Sequence, residues 1–377
     1  MKIKISKTKA QNAWIHAQRL DQATPFGKGA TAVTKAVNHL GYVQIDTINV
    51  IERCHHHILF NRIPGYERRH LHEAQTENKT IFEYWTHALS YVATTDYKYF
   101  VGQMKNINTL NGTWFSTVTA AEYRKVRNLI RKEGPISIRD IKDDVPIEKT
   151  HAWGSTKPSK KALQLGFYKG EFVVGEREGM LKKYELTDTH FGWSSKPAAV
   201  NAREYSEYIL NRALKAQGIV SLDSICHLDA GQKPKIEKLI ETQHKTGRLL
   251  EVEIHEAEKI RHWARPEFIT EKFNTSKFTH ILSPFDPLII QRKRLKLFFD
   301  YEHLFEAYIP KEKRKFGYFT LPVLMQNKIV ALLDLKTDRI QKKLLVNNWV
   351  WREKSKSTDR KILIEQQLHR FEKFQLS

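Results

Sequence analysis

Gln44 and Asp46 are the side chains of this sequence best suited to chemistry, and one apolar residue separates them in Gly41-Tyr-Val-Gln-Ile-Asp-Thr-Ile-Asn-Val50. In an extended segment alternate side chains share a face, so Val43 and Ile45 are expected to point inward while Gln44 and Asp46 point together into one space. A carboxylate there can stabilise positive charge and accept a proton from water. The amide beside it offers a carbonyl and an NH₂ that orient water without adding charge. Asn49-Val-Ile-Glu52 fits a capping box that would start the next helix at Asn49. Asp46 then lies upstream of the cap with no evident structural duty, although a turn aspartate is the competing reading, as a surface strand residue is for Gln44.

The elements around this segment follow an order. Residues 7 to 20 read as a helix with Ala10, Trp14, Ala17 and Leu20 on one side, and after a polar link from Thr24 to Gly29 a second helix from Ala30 to Leu40 leads to Gln44. A third helix carries Cys54 and the run His55-His-His57, and Ile81 to Val92 reads as an aromatic strand or strand pair. Helix, helix, helix and then strands is the order of a winged helix. The order returns from Ala121 to Leu186, with a candidate recognition helix from Lys157 to Leu165, and again from Arg203 to Ile254. Beyond a polar link from Thr270 to Lys277, short apolar runs at Ile281 to Ile290, Tyr301 to Ile309, Gly317 to Leu324 and Lys328 to Leu335 predict a small antiparallel sheet or barrel, with a helical tail from Thr358 to Phe374. The expected class is α+β: three tandem winged-helix units at 1–118, 119–200 and 201–270, then a β domain at 271–377.

Composition narrows the partner. The 63 Lys and Arg against 42 Asp and Glu leave a formal charge of +21 spread over most segments, which points to a polyanion, nucleic acid before membrane. No apolar run approaches the roughly 20 residues that cross a bilayer, and the first residues lack the apolar core of a signal peptide. A cytoplasmic, nucleoid-associated protein is expected. Cys54 and Cys226 form no disulfide framework and fit a reducing compartment.

Gln44-Ile-Asp46 followed by Glu52-Arg-Cys-His-His-His57 resembles the signature of the AlkZ/AlkX, or YcaQ-like, family of winged-helix DNA glycosylases. Phe82-Glu-Tyr-Trp-Thr-His-Ala-Leu-Ser-Tyr91, Ser283-Pro-Phe-Asp-Pro287 with Arg292-Lys-Arg294, and the stretch from Tyr308 to Arg339 resemble it in the same order. The resemblance implies excision of alkylated purines and unhooking of interstrand crosslinks by cleavage of the N-glycosidic bond. It makes Gln44 and Asp46 the catalytic residues, and the Gln-apolar-Asp form is closer to the AlkX branch. An ordinary glycosidase needs two carboxyl groups because one must protonate the leaving oxygen. A purine alkylated at N7 already carries positive charge and departs neutral, so one carboxylate suffices.

Other candidates are weaker. Consecutive helical residues lie about 100° apart, so His55, His56 and His57 cannot converge on one ion; Cys54 and His57 alone are too few ligands. Neither a metal nor a cofactor is expected. Val50, Cys54 and Ile58 form the core stripe of their helix, which leaves His55 or His56 to contact DNA or simply to pack, and His87 has the same two readings. Tyr84, Trp85 and Tyr91 are either base-stacking residues or core. Lys157, Lys160, Lys161 and Lys169 are either phosphate contacts or solvated lysines. The expected partner is double-stranded DNA carrying alkylated bases or crosslinks, met by a monomer. The rival reading is a non-enzymatic winged-helix transcription regulator, which would not need Gln44 and Asp46.

Overall fold

The structure, a computed structural model, describes residues 2–107, 115–116, 118–142, 157–273, 275, 277–352 and 357–377. Its residues group into two compact units: residues 1–68, 86–90 and 206–377, and residues 69–85 with 91–205.

The first unit opens with the strand Lys2–Ile5, which lies parallel to Leu250–Ile254 and brings Ile5 opposite Ile254. That strand pairs antiparallel with His262–Ala264, which in turn pairs with Ile219–Val220. The start of the chain thus extends the sheet of the third expected module. The helix Lys7–Ala17 is capped by Ser6, whose side chain accepts from the Lys9 N–H. It buries Trp14 completely, with the rings of Phe298 and Phe299 each 5.7 Å from the indole. Ile5, Trp14, Ile219, Val252, Leu288, Phe298 and Leu324 share one apolar core, so the first helix, the small sheet and the C-terminal segment stabilise one another. Burying each large apolar side chain contributes roughly 1.5–3 kcal/mol.

The C-terminal part of this unit is the expected antiparallel sheet, ordered Thr279–Ile281, Thr320–Met325, Lys328–Asp338, Lys343–Trp351. Three details depart from expectation. The first strand ends at Ile281 because Pro284 and Pro287 follow and a proline cannot donate to a ladder. Residues 301–309 form no strand; instead the buried Glu306 carboxylate gathers the N–H groups of Lys315, Phe316 and Gly317 into a loop. The last strand was not anticipated, and it is a mostly exposed edge. The tail helix runs Thr358–Leu376 and buries Ile364, Leu368, Phe371 and Phe374.

The second unit contains the strand Ile81–Trp85, the helices Tyr97–Asn106, Ala120–Glu133 and Pro158–Tyr168, and the hairpin Phe172–Glu178 with Leu181–Leu186. A Thr119 and Glu122 capping box starts the helix Ala120–Glu133, and Pro158 opens the next, where its missing N–H costs nothing. Glu83 is buried and ion-paired with Arg177, while Gln75 donates to the same carboxylate at 3.2 Å. Burial pushes the Glu83 carboxyl up, and Arg177 more than offsets it, holding it below the usual range. Among the described residues no helix is long and apolar enough to cross a membrane.

Candidate active site around Gln44 and Asp46

The helix Gly29–Leu40 ends at Gly41, which has φ +80° and donates its N–H to the Val37 carbonyl at 2.9 Å. This left-handed cap favours glycine, and a Cβ at this residue would sit 2.3 Å from Cγ of Arg212. The chain turns there into the short strand Val43–Gln44. Val43 and Ile45 are buried as expected, and the Ile45 N–H donates to the Leu89 carbonyl at 2.8 Å.

Gln44 and Asp46 do not share an open face equally. Gln44 is only 6% exposed, whereas Asp46 is half-buried. Gln44 Oε1 lies 3.1 Å from His87 Nε2, and the Gln44 backbone carbonyl accepts the Cys54 thiol at 3.0 Å. Asp46 has a structural task after all: its Oδ1 accepts the Ile48 N–H at 2.7 Å, an Asx turn that takes the chain out of the strand.

The helix does not start at Asn49. It spans Cys54–Phe60, with Arg53 at its cap. The intended capping groups are engaged elsewhere: Asn49 Oδ1 accepts from Arg339 at 2.9 Å, and Glu52 pairs with Arg68 and accepts the Arg53 N–H. The strand Lys328–Asp338 and Arg339 just after it supply the remaining partners. The Thr337 N–H donates to the Val50 carbonyl at 3.0 Å, and the Thr337 hydroxyl and Arg339 guanidinium both donate to Ile51. These tertiary donors satisfy a backbone that would otherwise gain by becoming helical.

The histidine run mainly builds the unit. His57 donates Nε2–H to the Ile281 carbonyl at 2.8 Å and stacks on Phe371. His56 pairs with the Tyr66 hydroxyl at 2.8 Å, and His55 is buried beside it. Desolvation lowers the His57 pKa to about 4 and that of His56 to about 3, so both are neutral. Beneath this helix Arg62 forms a bidentate pair with Asp286 at 2.7 and 2.9 Å and donates to both the side chain and the backbone of Gln18. Both members of the ion pair are fully buried. Within the Ser283-Pro-Phe-Asp-Pro287 motif, Asp286 thus anchors the helix through Arg62.

The remaining candidates divide by unit. His87 belongs with Gln44 and Asp46 in the first, where its ring meets Tyr42 at 4.8 Å and His227 at 6.2 Å, and Arg212 lies over Tyr42 at 5.9 Å. Tyr84, in the second unit, is 1% exposed, donates to the Tyr168 carbonyl and packs in that unit's core. Tyr91 is likewise buried, whereas Trp85 is 39% exposed. Lys161 is buried, Lys157 and Lys160 are exposed, and Lys169 lies over the Tyr123 ring. The surroundings contributed by Arg212 and His227 carried no sequence signal, because some 170 residues separate them from Gln44.

Chemically, this is one partly accessible carboxylate beside the neutral Cys54 and His87, with the Arg212 guanidinium over the Tyr42 ring. Desolvation pushes the Cys54 thiol well above its ordinary value and the Asp46 charge adds to that shift; desolvation lowers His87 to about 4, helped by His227 and Arg212. Such a site can stabilise a cation and take a proton from water. Residues 37–374 match the family described as DNA glycosylase AlkZ-like, and this chain belongs to that family of DNA repair enzymes, whose substrate is DNA. The solved structure of the Streptomyces sahachiroi DNA glycosylase AlkZ superposes with a TM-score of 0.64 over 99% of this chain and 97% of that one, at 15% sequence identity. That likeness establishes the common fold.

Proposed function

We propose that this protein is a monofunctional DNA glycosylase that excises N7-alkylated purines, unhooks interstrand crosslinks through the same bond cleavage, and leaves an abasic site. The observation that carries the reading is Asp46, a half-buried carboxylate with one oxygen anchored by the Ile48 N–H and neutral His87 and Cys54 in the same segment's surroundings. As the N-glycosidic bond breaks, its electron pair goes to the base and cancels the positive charge of the alkylated ring. Asp46 stabilises the oxocarbenium-like sugar; a water oxygen then bonds to C1′ and its proton passes to Asp46. Winged-helix modules along 1–270 supply the basic surface that holds duplex DNA, with the chain acting as a monomer. The Gln-apolar-Asp form favours the broader crosslink range of the AlkX-like branch.

Incubation without metal with duplexes containing N7-alkylguanine or a nitrogen-mustard crosslink tests this directly. Wild type is expected to release free base, and Asp46→Asn to slow release by roughly 10²–10⁴-fold while still binding DNA. Release by Asp46→Asn at the wild-type rate would remove the role assigned to that residue. Sequence-selective binding to intact duplex without any release would mark a transcription regulator instead.

A further inference from the structure

We propose that His87 is a positioning residue, which holds the side-chain amide of Gln44 with its carbonyl turned toward the imidazole and its NH₂ directed at the attacking water. The inference rests on the reading of Gln44 and Asp46 as the reacting pair and assigns the two side chains different tasks. His87 Nε2 stands 3.1 Å from Gln44 Oε1, and its Nδ1 stands 3.3 Å from the Thr86 hydroxyl. Ser90 Oγ lies 3.1 Å from Thr86 and donates to the Ala88 carbonyl. The Thr86 hydroxyl also stands 3.2 Å from that carbonyl, but the carbonyl already accepts the Thr86 N–H at 2.9 Å and the Ser90 hydroxyl at 3.1 Å, which fills its two lone pairs; the Thr86 proton then turns to Nδ1, and the neutral ring carries its own proton on Nε2. An Nε2–H has only one partner on a glutamine, the carbonyl oxygen.

The Gln44 amide is thereby fixed in one of its two orientations. Water has two protons and two lone pairs. Asp46 accepts one proton, the Gln44 NH₂ occupies one lone pair, and the other lone pair faces C1′. A freely flipping amide would present its carbonyl half of the time and compete with Asp46 for the water proton. The groups facing His87 suit a ring held neutral: Tyr42 edge-on, the His227 ring 6.2 Å away, and Arg212 over Tyr42. Burial and the charge of Arg212 both oppose an imidazolium there.

Single-turnover excision of N7-alkylguanine, measured alongside DNA affinity, tests the proposal. His87→Phe keeps a ring but has no donor, and is expected to slow excision roughly tenfold with DNA affinity unchanged. His87→Gln returns an N–H donor and should recover most of that loss, which a purely structural role would not predict. In a double-mutant cycle, adding His87→Phe to Gln44→Ala should slow excision no further, because the effect passes through Gln44. Full additivity of the two substitutions overturns the proposal while leaving the glycosylase reading intact; unimpaired excision by both Gln44→Ala and Asp46→Asn overturns the underlying pair. Should His87→Phe fail to fold, ¹⁵N spectra of the native protein decide: the His87 ring must carry its proton on Nε2, and the opposite tautomer rejects the proposal.

Discussion

Asp46 has one oxygen anchored by the backbone, and in the proposed mechanism the other accepts the water proton. Oδ1 accepts the Ile48 N–H, and among the described residues no other hydrogen bond reaches the carboxylate. The turn therefore locks the side-chain rotamer without consuming the group's capacity to accept. Asparagine can keep the turn because its Oδ1 also accepts, whereas alanine cannot. Asp46→Asn should accordingly retain the wild-type thermal midpoint, while Asp46→Ala should lose about 1 kcal/mol of stability in addition to its activity; calorimetry on the two variants separates the roles. The pair as residue types at a spacing of two, and not its role, was legible in the sequence. Its unequal burial was not, since the side chain that encloses Gln44 is His87, which reaches it through tertiary packing.

The decisive element is the helix Cys54–Phe60 with the irregular backbone that leads into it. Asn49 and Glu52 form a plausible local cap in sequence, but local capping contributes only about 1 kcal/mol, and the helix starts at Cys54. Donors on Thr337 and Arg339 instead hold the Val50 and Ile51 carbonyls, which a helix starting at Asn49 would have needed as acceptors. The helix itself rests on Arg62, whose guanidinium donates to the Ile58 carbonyl, Gln18 and Asp286. Removing one partner of a fully buried pair strands the other charge. Arg62→Ala should therefore destabilise the protein by roughly 3–5 kcal/mol, readable as a lower urea midpoint. The double replacement of Arg62 and Asp286 by apolar residues of similar volume should cost far less, which would show that the pair's weight lies in mutual neutralisation.

At the scale of the molecule, buried neutral histidines tie stability to pH. His39, His57, His262 and His280 each have a pKa lowered to about 4, in every case chiefly by desolvation. Because the folded value lies below the unfolded one, the unfolded chain binds these protons first. Their contribution is complete above about pH 6.5 and is lost as pH falls toward 4, at a rate approaching 1.4 kcal/mol per pH unit for each fully neutral-buried histidine. Urea midpoints should drop steadily between pH 7 and pH 5; a flat profile would mean these rings are not held neutral. The charge of +21 and the mixed α+β character with a C-terminal antiparallel sheet were readable at once, because composition and periodicity are local properties of the chain. So were Gln44 and Asp46, as residue types at a fixed spacing. Only the tertiary structure decided that the first strand joins Leu250–Ile254, that Asp286 is an anchor for Arg62, and that His87 meets Gln44. Each of those contacts joins residues far apart in the sequence, and their geometry follows from packing and the satisfaction of buried polar groups, which no local pattern records.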